Sequence, residues 1–222
     1  HPFIRPELFR NKGYAFMLLV SSLVYSIGIS LFFLTPKLLA EVYLLDPGRI
    51  GFAMVPAALA TALLGRTAGR WADRKGNASL YRIGSGSLIV CFLLLSCFTG
   101  VPPLWISLFL MFGNVGQSFL TVSMSNTISR TLPRELVGMG MGLYPMFNFI
   151  AQGIAVGFYG IAVDLGVTAD WNPLHGLLLP GSGSRAGLYS TIYLVLAVLH
   201  AGILGLYLSG RTRSAEEGRA ED

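Results

Sequence analysis

Apolar residues in this chain come in long unbroken blocks, without the spacing of an amphipathic surface helix. No charged side chain occurs from Gly13 to Pro36, from Leu136 to Val163 or from Ala186 to Gly210. Each block is long enough to cross a hydrocarbon core of about 30 Å, which takes about 20 helical residues. The longest charge-free stretch, Ile83 to Ser129, would measure about 70 Å as one helix at about 1.5 Å per residue. It must fold back, and Gly100-Val101-Pro102-Pro103 marks the reversal, because consecutive prolines lack backbone donors and disfavour a continuing helix. The block from Ile50 to Gly65 is shorter and extends to about Gly69, with Arg66 snorkelling toward headgroups. The pattern predicts six spans, at about 13–36, 50–69, 80–99, 104–127, 138–163 and 187–209. Residues 1–12 are then a lead-in and 210–222 a disordered polar tail.

Composition agrees with a lipid solvent. Of 222 residues 53% are hydrophobic and 12% charged, against about 25% charged in soluble domains, which leaves too little polar surface for water. The fold class expected is an all-α membrane protein, a six-helix bundle. The opening His1-Pro2-Phe3-Ile4-Arg5 has no initiator Met or signal peptide and reads as the middle of a larger polypeptide. Cys91 and Cys97 lie about 9 Å apart along one helix axis, too far for a disulfide, and are read as packing or lipid-facing thiols.

Basic residues set the orientation. One side would carry Arg5, Arg10, Lys12, Arg66, Arg70, Arg74, Lys75, Arg82, Arg130, Arg134, Arg211, Arg213 and Arg219; the other keeps Lys37, Arg49 and Arg185. Both termini are therefore expected in the cytoplasm of a multi-pass cell-membrane protein. The net charge of +5 reflects that topology and the anionic lipid beside it, with no nucleic-acid partner. Between spans five and six, Asp164 to Ala186 forms an outer connection with Trp171 as an interfacial anchor and Pro180-Gly181-Ser182-Gly183-Ser184 as a mobile tip.

Between spans two and three the chain reads Gly69-Arg70-Trp71-Ala72-Asp73-Arg74-Lys75-Gly76. Gly69 permits a close helix approach, Asp73 can cap or pair with cations near a helix end, and Gly76 allows a turn with positive φ. This string resembles the signature of the major facilitator superfamily, a glycine, three residues, then Asp-Arg-any-Gly. The resemblance implies one half of that fold, with Gly69, Asp73, Arg74 and Gly76 as a cytoplasmic latch between two six-helix halves. The lead-in from His1 to Asn11 is similar to the segment before the last six helices of fourteen-span drug:proton antiporters. Gly138-Met139-Gly140-Met141-Gly142-Leu143, with Asn148-Phe149 and Gln152-Gly153, is similar to the penultimate helix of bacterial tetracycline efflux pumps. Those pumps carry an acid in that helix where Gln152 stands here, and glutamine cannot titrate. No acid lies deep in any span, since Glu41 and Asp164 sit near the outer edge, so proton-titrating carboxylates are expected in the other half.

Polar residues in lipid should face the bundle interior or a wet cavity. Asn114, Gln117, Thr121 and Ser125 form a stripe on span four, and Tyr144, Asn148, Gln152 and Tyr159 nearly do on span five. Ser22, Tyr25, Gly28, Phe32 and Thr35 follow a similar spacing on span one. The resemblance implies that the first and fourth helices line a central cavity, flanked by the second and fifth. A substrate site is expected from Tyr25, Phe32, Asn114, Gln117, Asn148 and Gln152, amides among aromatic walls that suit an amphipathic drug. The alternative is that these amides only bond neighbouring helices. Ala57, Thr61, Gly65 and Gly69 give span two a smooth face expected to meet the other half, and Gly153 and Gly157 a second close contact. His200 is read as a hydrogen-bonded structural histidine on a lipid-facing helix.

No nucleophile-base pair, metal cluster or phosphate loop stands out, so neither an enzyme nor a cofactor is expected; the expected energy source is a proton gradient. Partners expected are a second six-helix half, the bilayer and an amphipathic small molecule. Rival readings are a non-transporting scaffold and a nutrient transporter of the same fold.

Overall fold

The computed structural model describes residues 7–166 and 184–220, with side chains at 8–166 and 185–210. The elements are α1 (Glu7–Arg10), α2 (Lys12–Gly28), α3 (Ser30–Glu41), α4 (Pro47–Lys75), α5 (Asn77–Phe98), α6 (Pro103–Arg130), α7 (Arg134–Asp164) and α8 (Ser184–Ala220). Six stretches are long and apolar enough to cross a membrane: Lys12–Glu41, Pro47–Lys75, Asn77–Phe98, Pro103–Arg130, Arg134–Asp164 and Arg185–Gly210. The chain is an all-α, six-span membrane bundle.

Local chemistry sets the boundaries. Asn11 begins α2 by accepting the Tyr14 N–H, and its amide donates to the Thr131 carbonyl at 2.7 Å, tying the start of α2 to the end of α6. Asp46 accepts the Arg49 N–H ahead of Pro47. Pro103 opens α6 as the proline hairpin predicts, and Gly100 donates its N–H to the Tyr43 hydroxyl at 2.8 Å. Burial there pushes the Tyr43 phenol above its ordinary range. The first crossing is divided at Ile29, but the Ile29 N–H still reaches the Tyr25 carbonyl at 3.0 Å, so α2 and α3 continue as one span.

Two bounds differ from expectation. The chain between the second and third spans shrinks to Gly76 alone, because α4 stays helical through Lys75 and Gly76 turns it at φ +81°. The last helix runs on to Ala220 where a disordered tail was expected; Ala215, Glu216, Glu217 and Arg219 are strong helix formers, a local signal outweighing the polarity. The connection carrying Trp171 and residues 180–183 lies outside the described residues.

α5 and α6 approach most closely, backbone on backbone. A Cβ on Gly116 would lie 2.7 Å from the Gly84 carbonyl oxygen, and one on Gly84 2.9 Å from that of Gly116. α8 lies on α5 through Tyr81 stacked on Tyr207 at 3.8 Å, Phe92 on Tyr193, and a Ser190 hydroxyl donated to the Ser96 carbonyl. α4 packs on α6 through Ala68 and Ala72 against Phe119. α7 packs on α2, where the Tyr14 hydroxyl donates to the Gly140 carbonyl at 2.9 Å. α2, α3 and α6 therefore form the middle of the bundle, flanked by α4 and α7 and backed by α5 and α8. This is the arrangement the resemblance implies.

The packing corrects three readings. The smooth face of α4 turns partly inward: Ala57 is buried, and a Cβ on Gly65 would touch the Ser118 hydroxyl of α6 at 3.4 Å. Gly69, Gly153 and Gly157 have no neighbour within 4 Å of their Cβ positions among the described residues, where close contacts were expected. His200 is fully buried, with no hydrogen-bond partner among the described residues. It shares the inward stripe of α8 with Tyr193, Leu196 and Tyr207, which turns it from lipid to core.

Candidate functional site

The polar stripes on α2, α6 and α7 converge on Tyr25. Its hydroxyl donates to Thr121 Oγ1 on α6 at 3.2 Å and accepts from the Tyr144 hydroxyl on α7 at 3.5 Å. The two tyrosine rings meet edge to face at 6.2 Å. One turn away, the Ser21 and Ser22 hydroxyls donate to Asn148 Oδ1 at 3.1 and 3.5 Å, and Gln152 Nε2 donates to the Asn148 carbonyl at 3.1 Å. Tyr159 donates to the Ser26 carbonyl at 2.7 Å. Hydroxyls and amides thus stitch α7 to α2 and α2 to α6.

Gln117 sits beside Gly28 on this seam. A Cβ on Gly28 would meet the Gln117 Cδ and Nε2 at 2.5 and 2.6 Å, so the amide occupies space that only glycine leaves. Gln117 Oε1 is buried with no hydrogen-bond partner among the described residues, an unspent acceptor that costs free energy unless something donates to it.

The six expected substrate residues therefore separate. Tyr25, Gln117 and Gln152 are half-buried on the seam. Asn148 is on it too but only 3% exposed, its oxygen taken by serines. Asn114 is turned inward and donates to the Leu110 carbonyl of its own helix at 3.0 Å. Phe32 is exposed on α3. Sequence spacing grouped these residues by helix, but the cross-helix hub with Thr121 and Tyr144 needed the register between helices.

The glycine-aspartate-arginine string forms the last turns of α4. Asp73, Arg74 and Gly76 are exposed, and of the two roles open to Asp73, capping or pairing, no ion pair forms among the described residues. A carboxylate near a helix C-terminus opposes the helix dipole, so nothing local rewards it. The turn itself is held from α6, where Ser123 donates to the Asn77 carbonyl at 2.6 Å. The sequence of residues 1–156, from the lead-in through α7 as far as Val156, matches the family model of the Major Facilitator Superfamily. The chain belongs to that superfamily. No solved structure matches it.

As a major facilitator protein the chain is a transporter-family membrane protein, and its family contains transporters in place of enzymes. One polar group of this transporter fold was not foreseen. At the end of the bundle remote from Gly76, Lys37 bonds Asp164 at 2.9 Å and lies 4.0 Å from Glu41. Glu41 in turn takes Arg185 at 2.8 Å and the Tyr189 hydroxyl at 2.9 Å. The cluster ties α3, α7 and α8 together. Only the i, i+4 spacing of Lys37 and Glu41 announced it in the sequence.

Proposed function

We propose that this chain is one six-helix half of a secondary active transporter that exports an amphipathic drug in exchange for protons by alternating access. The observation that carries the reading is the hydroxyl-amide seam centred on Tyr25, where Tyr25 and Gln152 are half-buried and Gln117 holds an unspent acceptor. Polar groups at bundle midplane are costly in lipid and pay only where they meet other helices or a substrate. Tyr25, Phe32, Gln117 and Gln152 are the substrate residues, with Asn148 and Asn114 shaping the wall behind them.

The second half, in the same polypeptide or a separate chain, covers the open face of α7 and the side of α4 that carries Gly69 and Asp73. Gly69, Asp73, Arg74 and Gly76 latch onto it from the cytoplasmic side, which gives the unpaired Asp73 its partner. Both termini face the cytoplasm. The protonating carboxylates belong to that second half, since Gln152 cannot titrate. A non-transporting half-bundle is the competing reading, favoured by that same glutamine.

Drug uptake into inside-out vesicles separates them. Uptake of tetracycline or ethidium is expected with an imposed pH gradient and lost when the gradient is collapsed. Asp73→Asn is expected to lower uptake without lowering the amount of inserted protein. Uptake that ignores the gradient would end the proton-exchange reading, and no uptake at all would favour the scaffold.

A further inference from the structure

An apolar groove of about 680 Å³ runs along the outside of the bundle, floored by α6 and walled by α4 and α5. That volume lies within the range of ligand-binding clefts, about 300–1,000 Å³. It shares no residue with the seam around Tyr25. Trp71, Ile83 and Phe119 line one end and Trp105 the other, with Leu64 and Phe112 between. Trp71, Leu64, Phe112 and Trp105 are exposed to the surroundings of the chain.

The two hydroxyls in the lining are both engaged by backbone. Thr67 donates to the Leu64 carbonyl, and Ser87 donates to the Phe112 carbonyl at 2.7 Å. A drug with amide or hydroxyl groups would find there only the remaining lone pairs of these two hydroxyls and the N–H groups of Trp71 and Trp105, few partners for the hydration it would lose. A hydrocarbon chain loses nothing there.

Charge is confined to one end. On α4 the lining positions Leu64, Thr67 and Trp71 continue as Arg74 and Lys75 at the next three- and four-residue steps, the same helix face. Lys75 Nζ stands 5.2 Å from the centre of the Trp71 ring, a cation over an aromatic face. Arg70 and Arg82 are exposed nearby, on α4 and α5. The one acid in the stretch from Arg66 to Arg82, Asp73, lies two residues before Lys75 and so points to another side of the helix. At the Trp105 end the chain has no charge from Ile83 to Ser129.

We infer that the α4–α5–α6 groove is a site for one anionic phospholipid, its acyl chain laid along Trp71, Phe119 and Phe112 and its phosphate held by Arg74 and Lys75. The lipid comes from the leaflet on the Gly76 side of the bundle. The site is separate from the drug seam and stands whether or not that seam carries drug.

Native mass spectrometry of the delipidated protein, offered equal amounts of phosphatidylglycerol and phosphatidylcholine with matched acyl chains, reads the headgroup preference. The expected result is one phosphatidylglycerol retained in preference. Arg74→Gln with Lys75→Gln is expected to lower that preference about tenfold or more, at about 1 kcal/mol per cation and 1.4 kcal/mol per tenfold. Acyl-brominated phosphatidylglycerol then tests the groove. Its quenching of tryptophan fluorescence is expected to shrink in Trp71→Phe, and Thr67→Phe, which fills the groove, is expected to weaken retention. Equal retention of the two lipids, a preference surviving the double glutamine variant, or binding indifferent to Thr67→Phe would each overturn the assignment.

Discussion

Gly28 and Gln117 offer the sharpest perturbation of the seam, because one methyl group at Gly28 changes where an amide on another helix can lie. An alanine Cβ would fall 2.5 and 2.6 Å from the Gln117 Cδ and Nε2, closer than real Cβ contacts allow. The atoms it meets are the far end of a flexible side chain, so Gln117 swings aside and the backbone holds. Displacing it into a poorer rotamer costs about 0.5–1.5 kcal/mol, and replacing a helical glycine by alanine returns up to about 1 kcal/mol. Net stability therefore changes by no more than about 1.5 kcal/mol while the amide leaves its place. If Gln117 contacts drug through one neutral hydrogen bond, its loss costs about 0.5–1.5 kcal/mol, a weakening of up to about tenfold.

The assay is a double-mutant cycle read as drug affinity in vesicles, with tetracycline and ethidium as probes. Gly28→Ala and Gln117→Ala are each expected to weaken binding, and Gly28→Ala is expected to add nothing in the Gln117→Ala background. Additive losses would mean that Gly28 acts on the site by some route other than Gln117. Full affinity in both single variants would remove Gln117 from the substrate site altogether.

Two further substitutions test the packing that positions the seam. Gly116→Ala places a Cβ against the Gly84 carbonyl, which is backbone and cannot swing away; a loss of about 1–3 kcal/mol is expected, seen as a lower unfolding temperature in detergent, and an unchanged one would refute the close approach. His200→Leu removes a fully buried imidazole that lacks a partner among the described residues, so stability is expected to hold or rise by about 1–3 kcal/mol, and a marked drop in the same melt would show that the ring is satisfied after all.

The spans were legible because a lipid solvent leaves few ways to satisfy a backbone, so block length alone fixed where helices run. The Pro102-Pro103 reversal was legible for the same local reason. The turn after α4 was not, since the cations from Arg66 to Lys75 look like a loop to a hydropathy window, while their long aliphatic stems are good helix formers. Position along a helix predicted which residues share a stripe, as with Gln117 and Thr121. It did not predict depth: Asn148 turned inward to the serines of α2, and Asn114 lies buried while bonded to the Leu110 carbonyl of its own helix.

The same limit explains why the seam and the outer charge cluster differ in how they were found. Tyr25, Tyr144 and Thr121 are polar in apolar blocks, so each one stands out against its own helix, and only their pairing needed three dimensions. Lys37, Glu41, Asp164 and Arg185 sit at span ends, where charges are ordinary, and beyond the i, i+4 spacing of Lys37 and Glu41 nothing in sequence separates a solvated rim from a network joining α3, α7 and α8. Exposed pairs of this kind contribute about 0–1 kcal/mol each, too little to hold a bundle. What the cluster does hold is the relative position of three helix ends, two of which, α3 and α7, carry Phe32 and Gln152 toward the proposed drug site.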